Sequence, residues 1–131
     1  MSVKWIEYKG KRILYSDYRG LTEELGIENL ELEAQMIAAS ETKALVLNNY
    51  EGTTATPDFM KRAKELGPTV TEPNTAKNAA LGITGLKELL LRAYNAFTGA
   101  KVRPFKTEAE ALEWLVQDDE PTTDGDKASQ A

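Results

Sequence analysis

The side chains that could take part in chemistry concentrate in one polar segment, residues 48–56, which follows a short apolar run at Ala44–Leu47. Such a run is typical of a strand that is covered on both faces. In open α/β sheets, ligands bind in the loops beyond the carboxyl ends of the strands. We therefore predict that this segment binds a ligand or a partner through seven residues: Asn48, Asn49, Tyr50, Glu51, Thr53, Thr54 and Thr56.

The chemistry open to this segment is limited. It contains amides, hydroxyls and one carboxylate but no Lys, and the whole chain contains no His and no Cys. An imidazole base and a thiolate nucleophile or metal ligand are therefore excluded. Glu51 is a single loop carboxylate, which is more often a solvated residue than a general acid or base. The sequence predicts no catalytic residue, no metal site, no cofactor and hence no enzyme.

The hydroxyl groups of this segment have two alternative interpretations. Thr56 precedes Pro57 at the start of a helical pattern, where its hydroxyl can cap the helix. Thr54 and Thr56 are also the candidates for phosphorylation, since a phosphate would be drawn to the free amides of the helix N-terminus. Asp58 already places negative charge there and would oppose a phosphate.

Composition narrows the classes of partner and the location. The 131 residues carry a net charge of −5, which argues against nucleic-acid binding because that depends on clustered Lys and Arg. No apolar run approaches the ~20 residues of a membrane helix, and the first residues lack the apolar core of a signal peptide. We therefore predict a cytoplasmic protein with no transmembrane segment.

The domain boundary is predicted from an abrupt change in composition. Beyond Val116 no apolar side chain except Ala occurs, and the segment 118–131 is rich in Asp and Glu. Such a segment cannot offset its ordering entropy by burial. We predict one domain over residues 1–117 and a disordered acidic tail over residues 118–131.

The elements that would position the site follow from periodicity. Apolar and aromatic runs at Val3–Tyr8 and Lys11–Tyr18 predict a hairpin, and the remaining segments alternate between helical and extended patterns. The resulting order is β-β-α-β-α-β-α-β-α. It predicts an α/β fold with a mixed, largely parallel sheet of about five strands, an N-terminal hairpin and four covering helices.

Two helical patterns predict which side chains face the core and which face outward. Leu86, Leu89, Leu90, Ala93, Tyr94 and Phe97 form one continuous stripe, as on a helix that packs against a core. In the first helix, predicted over Glu28–Ser40, the core stripe comprises Ile27, Leu30, Ala34, Ile37 and Ala38. Leu32 and Met36 then lie on the opposite face. We predict that they form an interface with a partner or a second copy, although scattered exposed apolar residues are common.

Several short sequence segments resemble those of the STAS domain family, and more narrowly those of its SpoIIAA-like branch of small stand-alone bacterial proteins. They are Asp17-x-x-Gly20, Ala44–Asn48 with its capped helix, Gly82-Ile-Thr-Gly-Leu86, and the segment from Phe105 to Leu115. The resemblance spans Val3 to Gln117. It implies a mixed sheet with packed helices and a binding or regulatory role without catalysis.

In regulatory members of that family, a Ser in an Asp-Ser-Ser-Gly-type motif is phosphorylated after the third strand. The matching segment here is Thr53–Pro57, which has no Ser and no following Gly, so only Thr54 or Thr56 could take that role. The branch is also similar to lipid-transfer folds, which implies a small hydrophobic ligand as an alternative.

Three hypotheses of function follow. The first is a non-enzymatic protein-interaction module that acts through residues 48–56 on a protein partner or a second copy. The second is a binding protein for a small apolar or lipid-like ligand held between the sheet and a mobile helix, which a cavity of roughly 300 Å3 or more would favour. The third, weaker hypothesis is an enzyme that uses Glu51 or a Tyr.

Overall fold

The computed structural model describes residues 2–118, and it confirms the predicted α/β fold with five strands and four helices. Of the predicted tail, only Asp118 is among the described residues, and residues 119–131 lie outside them. The strands are β1 (Val3–Tyr8), β2 (Lys11–Asp17), β3 (Ala44–Asn49), β4 (Thr75–Leu81) and β5 (Arg103–Phe105). The helices are α1 (Glu23–Ala39), α2 (Pro57–Leu66), α3 (Leu86–Thr98) and α4 (Glu108–Val116).

The strands lie in the sheet in the order in which they occur in the chain, β1-β2-β3-β4-β5. β1 and β2 pair antiparallel, and the three other pairs are parallel. The parallel register places Ser16 beside Asn48, and Val46 beside Asn78. The carboxyl ends of β2, β3 and β4 therefore reach the same edge of the sheet.

The predicted hairpin turn at Lys9-Gly10 is present, with φ of 51° at Lys9 and 82° at Gly10. Positive φ at both central residues is the geometry whose twist suits the right-handed twist of paired strands. The strands on either side pair in continuous register from Val3–Ser16 to Tyr8–Lys11. The hairpin thus fixes β2 as the strand next to the central strand β3.

One face of the sheet is closed by α4. Side chains that alternate along the strands pack there against Ala111, Leu112 and Leu115 of the helix. The strand residues of this cluster are Ile13, Leu47, Ala79 and Leu81. Because successive strand side chains point to opposite faces, Ser16, Asn48 and Asn78 are left on the other face. The sheet therefore has one mostly apolar face under α4 and one face with a row of polar side chains.

The other face carries α1, α2 and α3, and its first helix differs from the prediction. The helix starts at Glu23 rather than at Glu28, because Thr22 provides the N-cap and accepts from the Leu25 amide over 3.2 Å. Ala38 is exposed, and Asn29 and Glu33 are buried where an outer polar face was expected. The apolar spacing identified the helix but not the direction in which its polar residues point.

The placement of Leu32 and Met36 on a free outer face is wrong. Both are half-buried and pack against the cluster that contains Leu14, Ile37 and Val46. Trp5 of β1 packs against the same cluster, so the buried stripe of α1 is wide enough to include these flanking residues. Association through Leu32 and Met36 stays a prediction.

The expected core stripe on α3 is also wrong. No residue of this helix is buried, and three large apolar side chains are exposed: Leu86 (68%), Leu89 (57%) and Phe97 (68%). The helix begins after Gly85, which has φ of 58°, and ends at Gly99, which has φ of 77°. α3 covers the edge of the domain beside α2 instead of entering a core.

The segment between α2 and β4 is more regular than the predicted loop. A π-helical turn over Gly67–Thr71 and a 3-10 turn over Glu72–Asn74 lead directly into β4, which starts at Thr75. Within residues 2–118 there is no helix that is long and apolar enough to cross a membrane.

Candidate functional site

A cavity of about 340 Å3 lies beyond the carboxyl ends of β2, β3 and β4, on the face that carries α1, α2 and α3. Its wall is mostly apolar and aromatic and includes Leu30, Phe59, Met60, Ala63, Leu90 and Tyr94. Its floor is polar and consists of Tyr18, Glu33, Asn48 and Asn78, which we call the polar floor. A concave apolar site with a few convergent polar groups is the usual form of a small-molecule site.

Glu33 is the central residue of the polar floor, and its side chain is only 3% exposed. The Tyr18 hydroxyl donates to Glu33 Oε1 over 2.6 Å. Burial raises the pKa of the Glu33 carboxyl, whereas hydrogen bonds from Tyr18, Ser16 and Asn48 act in the opposite direction. Glu33 is therefore a carboxyl group that is held in a poorly solvated place by neutral donors.

A second layer beneath the floor fixes α1 to β2. The Asn29 amide nitrogen donates to Ser16 Oγ over 3.1 Å, and both side chains are buried. The other amide atom, Asn29 Oδ1, has no hydrogen-bond partner among residues 2–118. Because Ser16 in turn interacts with Glu33, this pair determines where the carboxyl group sits over the strand.

The Asn48 amide has two hydrogen-bonded orientations. With its nitrogen toward Asn78, it donates to Asn78 Oδ1 over 2.9 Å. With its nitrogen toward α1, it donates to both carboxylate oxygens of Glu33, over 2.8 and 3.0 Å. The second orientation suits an ionised Glu33, and the first suits a protonated one, whose O–H can donate to the amide oxygen. The amide orientation is thereby coupled to the protonation of Glu33.

Three aromatic rings pack together at one side of the cavity. Tyr18 and Tyr50 are stacked with their centroids 4.8 Å apart. Phe59 meets both edge-on, at 5.5 and 6.4 Å. Burial raises the pKa of both Tyr hydroxyls well above its usual value, and the Glu33 charge adds to this. These phenols therefore stay neutral and act as donors or as apolar surface.

α3 forms the roof of the cavity. Burial raises the pKa of Tyr94 to about 12, with further contributions from the charges of Glu33 and Glu72. At the start of the helix, Lys87 Nζ donates to the Tyr50 carbonyl over 2.9 Å, and burial lowers the pKa of this amine. The roof is thus held to the loop after β3 by a cation that stands at the cavity wall.

A close backbone approach fixes that loop against β4. Gly82 has φ of 77°, and a Cβ atom at this position would overlap the Glu51 amide nitrogen and lie 2.8 Å from the Tyr50 carbonyl carbon. The Tyr50 amide also donates to the Leu81 carbonyl over 3.0 Å. Only Gly allows the loop to pass this closely over the end of β4.

The structure brings five of the seven predicted site residues to the cavity wall: Asn48, Tyr50, Thr53, Thr54 and Thr56. Thr56 caps α2 as predicted and accepts from the Phe59 amide over 3.3 Å. The Thr53 hydroxyl donates to the Tyr50 carbonyl over 2.7 Å and so helps to fix the loop. Phosphorylation of Thr54 or Thr56 stays a prediction.

The two other predicted residues lie elsewhere. Asn49 is buried on the face covered by α4, where its nitrogen donates to the Tyr15 hydroxyl over 3.0 Å and its oxygen accepts from the Glu51 amide. The alternation of strand side chains sends it away from Asn48. The Glu51 side chain is exposed. Within the described part of the chain, no group of His, Cys, Asp or Glu is arranged to hold a metal ion.

Sequence reasoning missed Glu33, Tyr18 and Asn78. The apolar spacing gives no sign that Glu33 is buried, because charged side chains on a helix usually face solvent. A usable signal existed in the row of polar residues at the strand ends, Ser16, Asn48 and Asn78, since a helix packed over such a row needs polar partners.

Comparison of the chain with known protein families, with curated proteins and with solved structures finds no match to any of them. The resemblance to the STAS family therefore stays a prediction.

Proposed function

We propose that this protein binds a small, largely apolar molecule in the cavity between the polar floor and α3. The observation that supports it most is the cavity itself, about 340 Å3 with a mostly apolar wall and four polar side chains grouped at its floor. The polar side chains are held in place by hydrogen bonds to one another, so they form a fixed polar end that can orient a head group. This is the second of the three hypotheses from the sequence.

The test uses a neutral probe, N-phenyl-1-naphthylamine, whose fluorescence rises in apolar surroundings. We expect saturable binding of one probe per chain. Ala63→Phe adds a ring to the cavity wall and should abolish this binding. Ala109→Phe adds the same ring to an exposed position of α4 and should leave it intact. A folded Ala63→Phe variant that binds the probe as wild type does would contradict the proposal.

A further control separates the cavity from the exposed apolar residues of α3. Leu89 is 57% exposed and could attract an apolar probe from outside. Leu89→Gln should therefore leave probe binding unchanged. A loss of binding in this variant would locate the probe on the outer surface and would also count against the cavity.

A protein-interaction module remains the second candidate, and the exposure of Leu86, Leu89 and Phe97 favours it. Three large apolar side chains on one helix are more than scattered exposure usually gives. The residues Thr54 and Thr56 stand beside the cavity that α3 covers, so one surface would combine the loop and the helix. Sedimentation of wild type and of Leu86→Gln with Leu89→Gln over a range of concentrations tests for self-association through this surface.

A further inference from the structure

The polar floor contains a carboxyl group without a matching cation. Glu33 is 3% exposed, and the ion pairs found among residues 2–118 do not include it. Carboxylates are seldom fully buried in proteins unless a cation or a set of donors compensates the lost hydration. Here the donors are neutral, so the negative charge itself is not balanced within the described residues.

Lys87 is the cation that lines the cavity within residues 2–118, and it does not balance the charge of Glu33. Lys87 lines the cavity, but its Nζ donates to the Tyr50 carbonyl, and its electrostatic partner is Glu51. Lys87 therefore belongs to the rim, where the loop after β3 meets α3. The floor remains the more negative end of the cavity.

The surroundings of Glu33 suit a cationic nitrogen. Tyr18, Tyr50 and Phe59 provide aromatic surface beside it, and organic ammonium ions are attracted to such rings. When the Asn48 nitrogen turns toward Glu33, the Asn48 oxygen faces Asn78, whose amide turns to donate to it over 2.9 Å. The acceptor for an ammonium group at the floor is therefore the Glu33 carboxylate.

We infer that the ligand is a small organic ammonium ion, a primary amine on an apolar body, with its nitrogen at Glu33 and its body against Phe59, Leu90 and Tyr94. This rests on the proposed function, since it names the class of ligand for the same cavity. A fatty acid would place a second negative charge at the floor and is disfavoured. An alcohol would fit the hydrogen bonds but would leave the charge of Glu33 unbalanced.

The test compares three molecules with the same eight-carbon chain, octylamine, octanol and octanoate, as competitors of N-phenyl-1-naphthylamine at pH 7. We expect octylamine to displace the probe at a concentration about tenfold below that of octanol, which corresponds to about 1.4 kcal/mol, and octanoate to be the weakest. Octanol that competes as well as octylamine would overturn the ammonium inference alone. Failure of all three to displace the probe would overturn the proposed function as well.

Glu33→Gln is the matched variant. Its nitrogen can donate to the Asn48 oxygen while Asn48 donates to Asn78, so the hydrogen bonds of the floor are kept without the charge. In this variant the preference for octylamine over octanol should disappear, so that both molecules displace the probe at about the same concentration. A preference that persists would arise from the overall charge of −5 and would overturn the inference.

A second variant covers the case in which Glu33→Gln does not fold. Phe59→Leu removes an aromatic ring beside the floor and leaves the carboxylate in place, so octylamine should lose affinity more than octanol does. Lys61→Gln removes an exposed cation of α2 that does not line the cavity and serves as the control, in which the preference for octylamine over octanol should be that of wild type. Equal losses for the amine and the alcohol in Phe59→Leu would contradict the inference.

Discussion

The two faces of the sheet are built from the same strands, yet one is filled and the other holds a cavity. On the face under α4, Ile13, Leu47, Leu81 and Leu115 leave no polar side chain among them and are at most 2% exposed. On the other face, Ser16, Asn48 and Asn78 lie on the same strands, each an odd number of positions away from these residues. The alternation of side chains thus sends Leu47 into the filled core and Asn48 to the candidate binding site.

The filled face also offsets the free energy that is lost by burying the polar floor. Burying amides and a carboxyl group lowers stability unless hydrogen bonds compensate. The face under α4 contributes the apolar burial that such a floor does not. Its helix packs on the sheet and also contacts the hairpin, where the Tyr8 hydroxyl donates to Glu113 over 2.5 Å. Stability therefore comes from the filled face together with the cluster of Leu14, Ile37 and Val46 under α1, and binding is assigned to the cavity beside that cluster.

The largest effect should come from the filled face. Leu47 is fully buried there, so Leu47→Ala should lower the free energy of unfolding by about 2 to 5 kcal/mol through lost burial and a new void. Leu90→Ala, on the half-exposed cavity wall, should cost less than half as much. Chemical denaturation of both variants measures the difference, and equal costs would show that the two faces do not differ in this way.

Next in size is the close approach at Gly82. Gly82→Ala should cost more than Gly52→Ala, because both residues have positive φ but only Gly82 has backbone atoms where a Cβ would lie. The backbone conformation alone costs about 1 to 2 kcal/mol for a non-Gly residue. Thermal melts and probe binding measure both effects. Gly82→Ala should also weaken probe binding, and unchanged binding would mean that the loop position does not shape the cavity.

The pH dependence of stability should distinguish the polar floor from the rest of the chain. The pKa of Glu33 is raised in the folded protein above its usual 4.5, so the folded state holds this proton more tightly than the unfolded state does. This contribution to stability is present at low pH and is lost as pH rises from 4.5 through the folded pKa. Wild type should therefore lose stability relative to Glu33→Gln over that interval.

Melting temperatures of wild type and Glu33→Gln at several pH values provide the measurement. The difference isolates Glu33, because carboxyl groups such as Asp17 and Glu113, whose pKa values are lowered by Arg19 and Lys9, are the same in both proteins. A difference that does not change above pH 4.5 would mean that Glu33 ionises as easily in the folded chain as in the unfolded one.

The smallest expected effect compares two helix caps. Thr56 caps α2 beside the cavity, and Thr107 caps α4 on the filled face by accepting from the Glu110 amide over 3.2 Å. Each change to Ala should lower the free energy of unfolding by about 1 kcal/mol. Thr56→Ala alone should also weaken probe binding. If Thr107→Ala weakens it equally, the two faces are coupled more strongly than their separate packing indicates.

Most of the fold could be predicted from local signals. The hairpin at Lys9-Gly10, the buried strand at Ala44–Leu47 and the cap at Thr56 depend on residues close in sequence, and the structure contains them. These features are set by backbone geometry and by hydrogen bonds to neighbouring amides, so they need no knowledge of distant contacts.

The site itself was only partly predictable. The loop after β3 follows from the general behaviour of parallel sheets, but the burial of Glu33 depends on Tyr18 and Asn48, which lie 15 residues away in each direction. The stripe on α3 was assigned to a core because apolar spacing does not distinguish a helix that enters a core from one that covers a cavity. Both errors concern long-range packing.

The exposure of α3 has a consequence for how fast the cavity can exchange its contents. A helix whose residues are at most half-buried loses less apolar contact on moving away than the buried strands would, so its detachment has a lower free energy than unfolding of the sheet. Its ties are few and local, including Lys87 to Tyr50 and the paired bonds between Asn95 and Val102. Residence time in the cavity would then be governed by the opening frequency of this one helix, and its amide protons should be among the first to exchange with deuterium.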